Sequence, residues 1–177
     1  TAYPVLFAIS GAHLINDTLQ AIIPAIYPLL KDSYGLTYFQ IGMITFVFQV
    51  SASLLQPLVG NYTDRNPKPY ALAVGMLFTM LGLLILGAVD SFVGVLVCVA
   101  IIGTGSAIFP PEASRLAFLA SGGKRGMAQS LFQVGGNAGS AIGPLIAALV
   151  IVQFGLHSVG WFAILAFAGA LLLYRLG

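Results

Sequence analysis

The sequence predicts an all-α integral membrane protein, a bundle of six transmembrane helices. Of its 177 residues, 59% are hydrophobic and 7% are charged, whereas a soluble domain carries about 25% charged residues. The core of one small soluble domain cannot hide this much apolar surface, so lipid must cover part of it. The chain also holds six separate apolar segments of the length that a helix needs to cross a bilayer, roughly 20 residues.

Polar and glycine-rich or proline-rich connections separate the six predicted helices, which we name span 1 to span 6 in chain order. The connections are too short to hold a further domain, so we expect residues 1–177 to form one helical bundle. The six spans cover residues 3–30, 38–62, 70–89, 92–119, 126–153 and 158–175.

A weak internal repeat indicates that the spans form two units of three. Residues 53–60 of span 2 resemble residues 140–147 of span 5, at an offset of 87 residues, close to half of the chain. The tripeptide Phe-Gln-Val also recurs, at Phe48 and Phe132. Apolar sequences produce such matches by chance, and chance is the alternative. A true 3+3 repeat in inverted orientation is an architecture of transporters.

The distribution of lysine and arginine predicts that both ends of this segment lie in the cytoplasm. Cytoplasmic loops of membrane proteins carry an excess of these residues. With this orientation, Lys31 is the single basic residue of the outer loops. The inner loops and the inner end then hold Arg65, Lys68, Lys124, Arg125 and Arg175.

Polar side chains in four of the six spans predict a water-accessible path. A charged residue at the bilayer centre costs about 2.5–3.5 kcal/mol, so it normally faces a cavity or a partner. Spans 1, 2 and 5 each place their polar residues on one helical face. Span 4 adds Glu112 and Arg115, while spans 3 and 6 are almost wholly apolar and are expected to face lipid. The polar face of span 1 holds His13, Asn16, Asp17 and Gln20. That of span 2 holds Thr45, Gln49, Ser53 and Gln56, and that of span 5 holds Gln129, Gln133, Asn137 and Ser140.

Two groups of these residues carry functional hypotheses, each with a structural alternative. Asp17 is predicted to couple protons or substrate, and the alternative is a structural hydrogen bond to Gln49 or Asn137. His13 either orients Asp17 or contacts substrate. Glu112 and Arg115 are predicted to form a mutual ion pair. The alternative is that the guanidinium, which matches phosphonate geometry, meets an anionic substrate.

The connection between spans 2 and 3 resembles the loop signature of the major facilitator superfamily. The matching residues are Gly60, Asp64, Arg65 and Lys68, a glycine followed by an acid and a basic cluster. The small Gly60 is expected to allow close helix approach, and the basic residues to anchor the loop at the anionic leaflet. Pro67 stands where that family usually has glycine. The alternative is an ordinary positively charged turn.

Span 5 carries a second resemblance to the same superfamily, to its antiporter signature Gly-x-x-x-Gly-Pro followed by small residues. Here the pattern is Gly139, Gly143 and Pro144, followed by Ala147 and Ala148. Two small residues four positions apart favour tight helix packing, and the proline bends the helix. Packing alone is the alternative role for this motif.

Five stretches of spans 1, 2, 4 and 5 are similar to the fosmidomycin-resistance proteins, a drug-efflux branch of that superfamily. The resemblance implies proton-driven export of drugs, including an anionic phosphonate antibiotic, from the bacterial cytoplasm. Pro110 departs from it, because we associate a histidine with that position. The superfamily has twelve helices in two halves, and the chain matches the N-terminal half. The matching stretches are residues 13–17, 25–30, 40–45, 111–115 and 129–137.

The expected function is therefore that of a drug:proton antiporter in the bacterial inner membrane, with no cofactor beyond the proton gradient. Its expected partners are a small-molecule drug, protons, the lipid bilayer and a second six-helix half, either a C-terminal half or a second copy. No nucleic-acid partner is expected. An enzyme is disfavoured because the sequence offers neither a nucleophile–base motif nor a set of metal ligands. The alternative is a channel-like or structural membrane module without proton coupling.

Overall fold

Helices make up almost all of the computed structural model, which describes residues 1–66 and 68–175. No strand occurs in those ranges, and the predicted all-α class is confirmed. Pro67, where the loop signature departs from the family pattern, lies outside the described residues. The α-helices are α1 (Tyr3–Ala25), α2 (Tyr27–Tyr34), α3 (Tyr38–Arg65), α4 (Ala71–Leu86), α5 (Phe92–Ala120), α6 (Arg125–Ile146), α7 (Val152–Phe154) and α8 (Ala163–Tyr174).

Five helical stretches are long and apolar enough to cross a membrane. The sixth, α4, has 16 residues, which correspond to about 24 Å and fall short of the roughly 30 Å of a bilayer core. Span 3 is therefore shorter than the predicted 70–89. Its α-helix ends at Leu86. The next residue, Gly87, packs closely on Gly160: a Cβ atom on Gly87 would be 2.8 Å from the Gly160 nitrogen.

Span 1 is two helices rather than the single predicted helix over residues 3–30. α1 ends at Ala25, and Ile26 separates it from α2 with φ −93° and ψ 2°. The physical reason is the pair Pro24 and Pro28, because proline has no N–H group to donate and its ring crowds the preceding turn. The chain then continues helically to Tyr34, and Gly35 ends α2 with φ +62°.

Span 5 is also irregular near its end. α6 passes into a wider π-helical turn at Ala147–Ile151, three residues after Pro144, and continues as α7. A single widened turn of this kind often follows a break in the regular hydrogen-bond ladder. Span 6 likewise begins with a 3₁₀ segment at Leu156–Phe162 before α8.

The helix packing has the symmetry that the 3+3 repeat predicts. α1 packs on α6, and α5 packs on α3. α8 packs on α1, α4 packs on α5, and α4 also packs on α8. Exchanging spans 1, 2 and 3 with spans 4, 5 and 6 turns each of the first four pairs into another of those four and leaves the pair of α4 and α8 unchanged. The two three-helix units therefore meet in equivalent ways.

Hydrogen bonds between loops sort the ends of the helices into two sides. On one side, the Tyr34 hydroxyl donates to the carbonyl of Val89 at 2.8 Å, and Nδ1 of His157 lies 2.7 Å from the carbonyl of Gly87. On the other side, the Thr1 hydroxyl donates to the carbonyl of Ser121 at 2.8 Å. The spans consequently alternate in direction through the bundle.

Two apolar clusters hold the bundle together, and α1 contributes to both. Leu6 and Ile9 belong to one cluster, and Leu19 and Ile22 belong to the other; all four are fully buried. Between helices in lipid, such side chains stabilise the bundle through close van der Waals packing. The polar segment 13–17 lies between these anchors, so packing on both sides fixes its position along α1.

Candidate functional site

Three predicted site residues of α1 form one hydrogen-bonded group. Nε2 of His13 lies 3.3 Å from Oδ2 of Asp17, one helical turn further along. The Asn16 amide donates to Oδ1 of Asp17 at 3.1 Å. Both carboxylate oxygens of Asp17 thus contact residues of its own helix. The predicted alternative partners, Gln49 and Asn137, are not the ones observed, because residues of α1 itself lie against both carboxylate oxygens.

Helix α6 holds the His13 ring from the other side. Nδ1 of His13 lies 2.9 Å from the carbonyl oxygen of Phe132. The imidazole also stacks on the ring of Phe132, with centroids 4.0 Å apart, and lies 5.6 Å from the ring of Phe109 on α5. Gly136 makes room for this arrangement, since a Cβ atom there would be 2.6 Å from Nε2 of His13. Three helices therefore fix the orientation of His13.

A cavity of about 240 Å³ opens beside Asp17 and is bounded by α1, α3, α6 and the start of α2. It brings together three predicted site residues, Asp17, Gln20 and Gln49. Its other lining residues were not among the predicted site residues, although Thr45 and Ser140 belong to the predicted polar faces. These are Ala21, Pro24, Tyr27, Thr45, Phe48 and Ser140.

Tyr27 separates this cavity from a second one of about 320 Å³, because it lines both. The Thr45 hydroxyl donates to the Tyr27 hydroxyl at 2.9 Å and so holds the ring between α2 and α3. The second cavity is lined also by Lys31, Asp32 and Tyr38, with Nζ of Lys31 5.0 Å from the Tyr38 ring centre. Little in the sequence points to Tyr27, since an isolated tyrosine in an apolar helix is normally a packing residue.

Glu112 and Arg115 form the ion pair that their spacing predicts, with Nη2 of Arg115 2.9 Å from Oε2 of Glu112. The Glu112 side chain is 4% exposed and that of Arg115 is 28% exposed. Neither residue lines the cavity beside Asp17. The pair therefore forms a second, separate polar centre on α5.

Gln133 and Asn137 do not join the cavity either. Both are exposed on α6, as Gln49 and Ser53 are on α3. These exposed polar residues alternate with exposed apolar ones, among them Val134, which is 61% exposed, and Leu54, which is 67% exposed. The polar faces predicted for spans 2 and 5 are thus present, but they lie largely on the outside of this bundle.

The loop signature lies at the end of α3. Asp64 and Arg65 are exposed, and among residues 1–66 and 68–175 neither forms an ion pair. Nζ of Lys68 lies 5.8 Å from the ring centre of Tyr62. The close approach expected at Gly60 is wrong, because a Cβ atom there would meet Pro111 at an ordinary contact distance of 3.5 Å.

The glycines of the second signature lie against α1, next to Asp17. A Cβ atom on Gly139 would be 2.9 Å from the backbone nitrogen of Thr18 and 3.1 Å from Cβ of Asp17. One on Gly143 would be 2.6 Å from Cβ of Ala21. Contacts this short exclude a side chain at either position. The signature therefore brings the backbone of α6 onto the part of α1 that carries the acid.

Comparison with curated proteins identifies several longer relatives. The chain is 51% identical to a fosmidomycin resistance protein of Escherichia coli over 176 residues, which are 99% of this chain and 43% of that protein. It is 51% identical to an uncharacterized MFS-type transporter, YfnC, of Bacillus subtilis, over 94% of this chain and 41% of the relative. A multidrug resistance protein MdtG of Serratia proteamaculans is 28% identical over 84% of this chain and 37% of the relative. The chain thus spans less than half of these proteins.

The fold also has solved counterparts. A mutant of the peptide transporter POT, solved in complex with alafosfalin, superposes with a TM-score of 0.80 at 20% identity, over 96% of this chain and 37% of that one. The Major Facilitator Superfamily model matches residues 9–176. This match covers nearly the whole chain, and the packing symmetry of the helices and the two sequence signatures agree with membership of that family. The chain is a multi-pass membrane protein of the major facilitator superfamily.

Proposed function

We propose that this chain is the N-terminal half of a proton-driven drug exporter of the bacterial inner membrane, with Asp17 as its main coupling acid. The observation that carries the proposal is the position of Asp17: it lies within a membrane span, contacts a titratable His13 at 3.3 Å and lines a cavity. An acid that gains and loses a proton there changes the net charge of the cavity, which is what ion-coupled transport requires.

The proposed substrates are small anionic drugs such as fosmidomycin. The resistance protein of Escherichia coli, at 51% identity, motivates this choice. Exchange requires that the proton at Asp17 and the drug in the same cavity exclude each other, because joint binding would carry both in the same direction across the membrane. Exchange of drug for protons follows if the empty, charged state does not reorient.

The test is Asp17→Asn in the full-length transporter, with Asp90→Asn as the matched control because Asp90 is an exposed loop acid. We expect Asp17→Asn to fold and insert, to lose gradient-driven efflux, and to keep drug binding or downhill exchange. The Asp90→Asn variant should pump at the normal rate. If Asp17→Asn pumps against a gradient with normal pH dependence, the coupling acid lies elsewhere, and Glu112 is the next candidate.

A channel-like or structural module is the second candidate, and drug accumulation with and without an uncoupler separates the two. A proton-driven exporter keeps the drug concentration low until the uncoupler collapses the gradient. A channel responds to the pH gradient only through the membrane voltage. Accumulation that is unchanged by the uncoupler at constant voltage therefore contradicts the proposal.

We further propose that a second six-helix half covers the exposed faces of α3 and α6. In the most apolar stretch of each helix, 17% of α3 residues and 22% of the residues in the α6–α7 segment are buried, against 56% for α1. Polar groups on these faces cannot be left unpaired against lipid. Residues 1–177 alone, reconstituted as monomers in sealed liposomes, should not transport drug, whereas the full-length protein in the same liposomes should transport it. Transport by the isolated monomer contradicts this proposal.

A further inference from the structure

We infer that His13 and Asp17 act as one proton-carrying unit, which holds a single shared proton and whose tautomer is fixed by the backbone carbonyl of Phe132. This inference rests on the proposed function, in which Asp17 is the coupling acid. It assigns His13 as the second member of the proton-sharing pair and Phe132 as the positioning residue. The three groups come from two helices, since His13 and Asp17 belong to α1 and Phe132 belongs to α6.

The tautomer follows from the hydrogen bond to α6. A backbone carbonyl can only accept a hydrogen bond, so Nδ1 of His13, 2.9 Å from the oxygen of Phe132, must carry hydrogen. In a neutral imidazole the other nitrogen is then the acceptor. Nε2, the nitrogen that faces Asp17, therefore carries a lone pair and no hydrogen unless the ring is protonated a second time.

The proton count follows from the contact to Asp17. Nε2 of His13 and Oδ2 of Asp17 are 3.3 Å apart, and two lone pairs at that separation repel. One proton between them removes the repulsion, either as imidazolium with carboxylate or as neutral imidazole with carboxylic acid. In both forms the pair has zero net charge and makes one hydrogen bond. Loss of that proton leaves a net charge of −1 and two opposed lone pairs.

No ionisable side chain of the described helices packed on α1 forms an ion pair or a hydrogen bond with His13 or Asp17. α6 carries no ionisable residue after Arg125 at its start, and the ionisable residue of α8 is Tyr174 at its end. On α5, Glu112 and Arg115 are bonded to each other. The other ionisable side chain of α5 is Cys98, and those of the neighbouring α2 are Tyr27, Lys31, Asp32 and Tyr34.

Release of the proton consequently changes the position of the Asp17 carboxylate relative to His13. The His13 ring has little room to retreat, because it stacks on Phe132 and abuts Gly136. The simplest relief is rotation of the Asp17 carboxylate toward the cavity that it lines. The acid is thus exposed to the cavity when it is unprotonated and is held against His13 when the proton is shared. This is the coupling between charge and geometry that exchange requires.

The test measures protonation directly in the full-length transporter, in lipid and without transport. Histidine rings labelled with ¹⁵N and phenylalanine carbonyls labelled with ¹³C identify His13 by NMR through its contact with Phe132. Infrared spectroscopy reports the protonation of Asp17, through the band of a protonated carboxyl group that disappears in the Asp17→Asn variant. His157 is the matched control in the same chain, because its Nδ1 also faces a carbonyl, 2.7 Å away on Gly87, and it forms no ion pair in the described ranges.

We expect Nδ1 of His13 to carry hydrogen at every pH, and His13 and Asp17 to change protonation in one common step. His13→Gln should shift the pH at which Asp17 titrates, whereas His157→Gln should leave that pH unchanged. A neutral His13 with hydrogen on Nε2, or an Asp17 titration that is identical in His13→Gln and wild type, overturns the inference. The tautomer is read in the wild type, so that result stands even if His13→Gln does not fold.

These readouts separate the inference from the proposed function. A shared titration in a protein whose Asp17→Asn variant still pumps supports the pair and rejects Asp17 as the coupling acid. Independent titrations in a protein whose Asp17→Asn variant has lost coupling reject the pair and support the acid.

Discussion

Glu112 and Arg115 are bonded to each other at 2.9 Å, yet each keeps one buried polar atom without a hydrogen-bond partner in the described ranges. The two atoms are Oε1 of Glu112 and Nε of Arg115. An unpaired buried polar atom costs about 1–3 kcal/mol. The pair is therefore held together by its mutual bond, but its polar atoms are not all paired within the described residues.

Removal of one member of this pair should be worse than removal of both. Glu112→Gln or Arg115→Gln leaves an uncompensated charge, which costs up to about 3–5 kcal/mol where the group is fully buried and less at the partly exposed Arg115. The double replacement should therefore lose less stability than either single replacement. Thermal unfolding of the purified variants in detergent measures this. Strictly additive losses would show that the residues are uncoupled and that Arg115 is available for an anionic ligand.

Gly136→Ala should destabilise the contact between α1 and α6. The new methyl group would lie 2.6 Å from Nε2 of His13 and 2.9 Å from Oδ2 of Asp17, and overpacking of this kind costs about 1–3 kcal/mol. The matched control is Gly126→Ala on the same helix, where no atom lies within 4 Å of the new group. The control should be neutral or stabilising by up to about 1 kcal/mol. Equal melting temperatures for the two variants would contradict the observed packing.

Tyr34→Phe should make stability less dependent on pH in alkaline solution. Burial raises the pKa of Tyr34, and the nearby Asp90 carboxylate and Cys98 raise it further. The neutral phenol that donates to Val89 is thus favoured in the fold. Its contribution is complete below the ordinary tyrosine pKa of about 10 and is lost as the pH rises through the higher value of the folded protein.

The variant should therefore lose about 0.5–1.5 kcal/mol near pH 8, the usual worth of one hydrogen bond, and less above pH of about 10. Unfolding of wild type and Tyr34→Phe is compared at both pH values. Tyr3→Phe is the control, because Tyr3 is 46% exposed. A stability difference between wild type and Tyr34→Phe that stays constant or grows with pH would contradict the prediction.

Cysteine labelling should place the loops on the sides that the basic residues predict. In a background with Cys98 replaced, cysteines at Asn66 and Gly123 should react from the cytoplasm. Cysteines at Ser33 and Leu156 should react from outside. The loop hydrogen bonds sort the ends of the bundle into two sides but not their orientation, which rests on the charge bias. Reversed labelling would invert the topology and leave the fold unchanged.

Much of the fold follows from the sequence because a bilayer imposes strong constraints. Helices must bond their own backbone and must be long enough to cross, so apolar length and breakers predict the six spans. Departures occur where proline or close backbone contact changes a helix locally, as at Ile26 after Pro24 and at Gly87. Helical periodicity does not report those contacts, because they depend on a neighbouring helix.

The candidate site likewise has one part that the sequence predicts and one part that it does not. The spacing of His13, Asn16 and Asp17 places them on one face of α1, and this follows from the sequence of that helix alone. The contact between His13 and the Phe132 carbonyl joins residues 119 positions apart through a backbone atom, and no side-chain pattern encodes it. Tyr27 was missed for a related reason, since its role depends on the distant Thr45 and on the break that precedes α2.

The tight seating of α6 on α1 also bears on how a transporter of this kind can acquire new specificities. Gly136, Gly139 and Gly143 admit no side chain, so selection for a different drug has almost no permissible change there. Gln133, Asn137 and Ser140 are exposed on the same helix and can vary in size and polarity without loosening that contact. We expect substitutions that change specificity to accumulate at these exposed positions and to leave the glycines untouched, so that the contact between α1 and α6 stays constant while the exposed face of α6 varies.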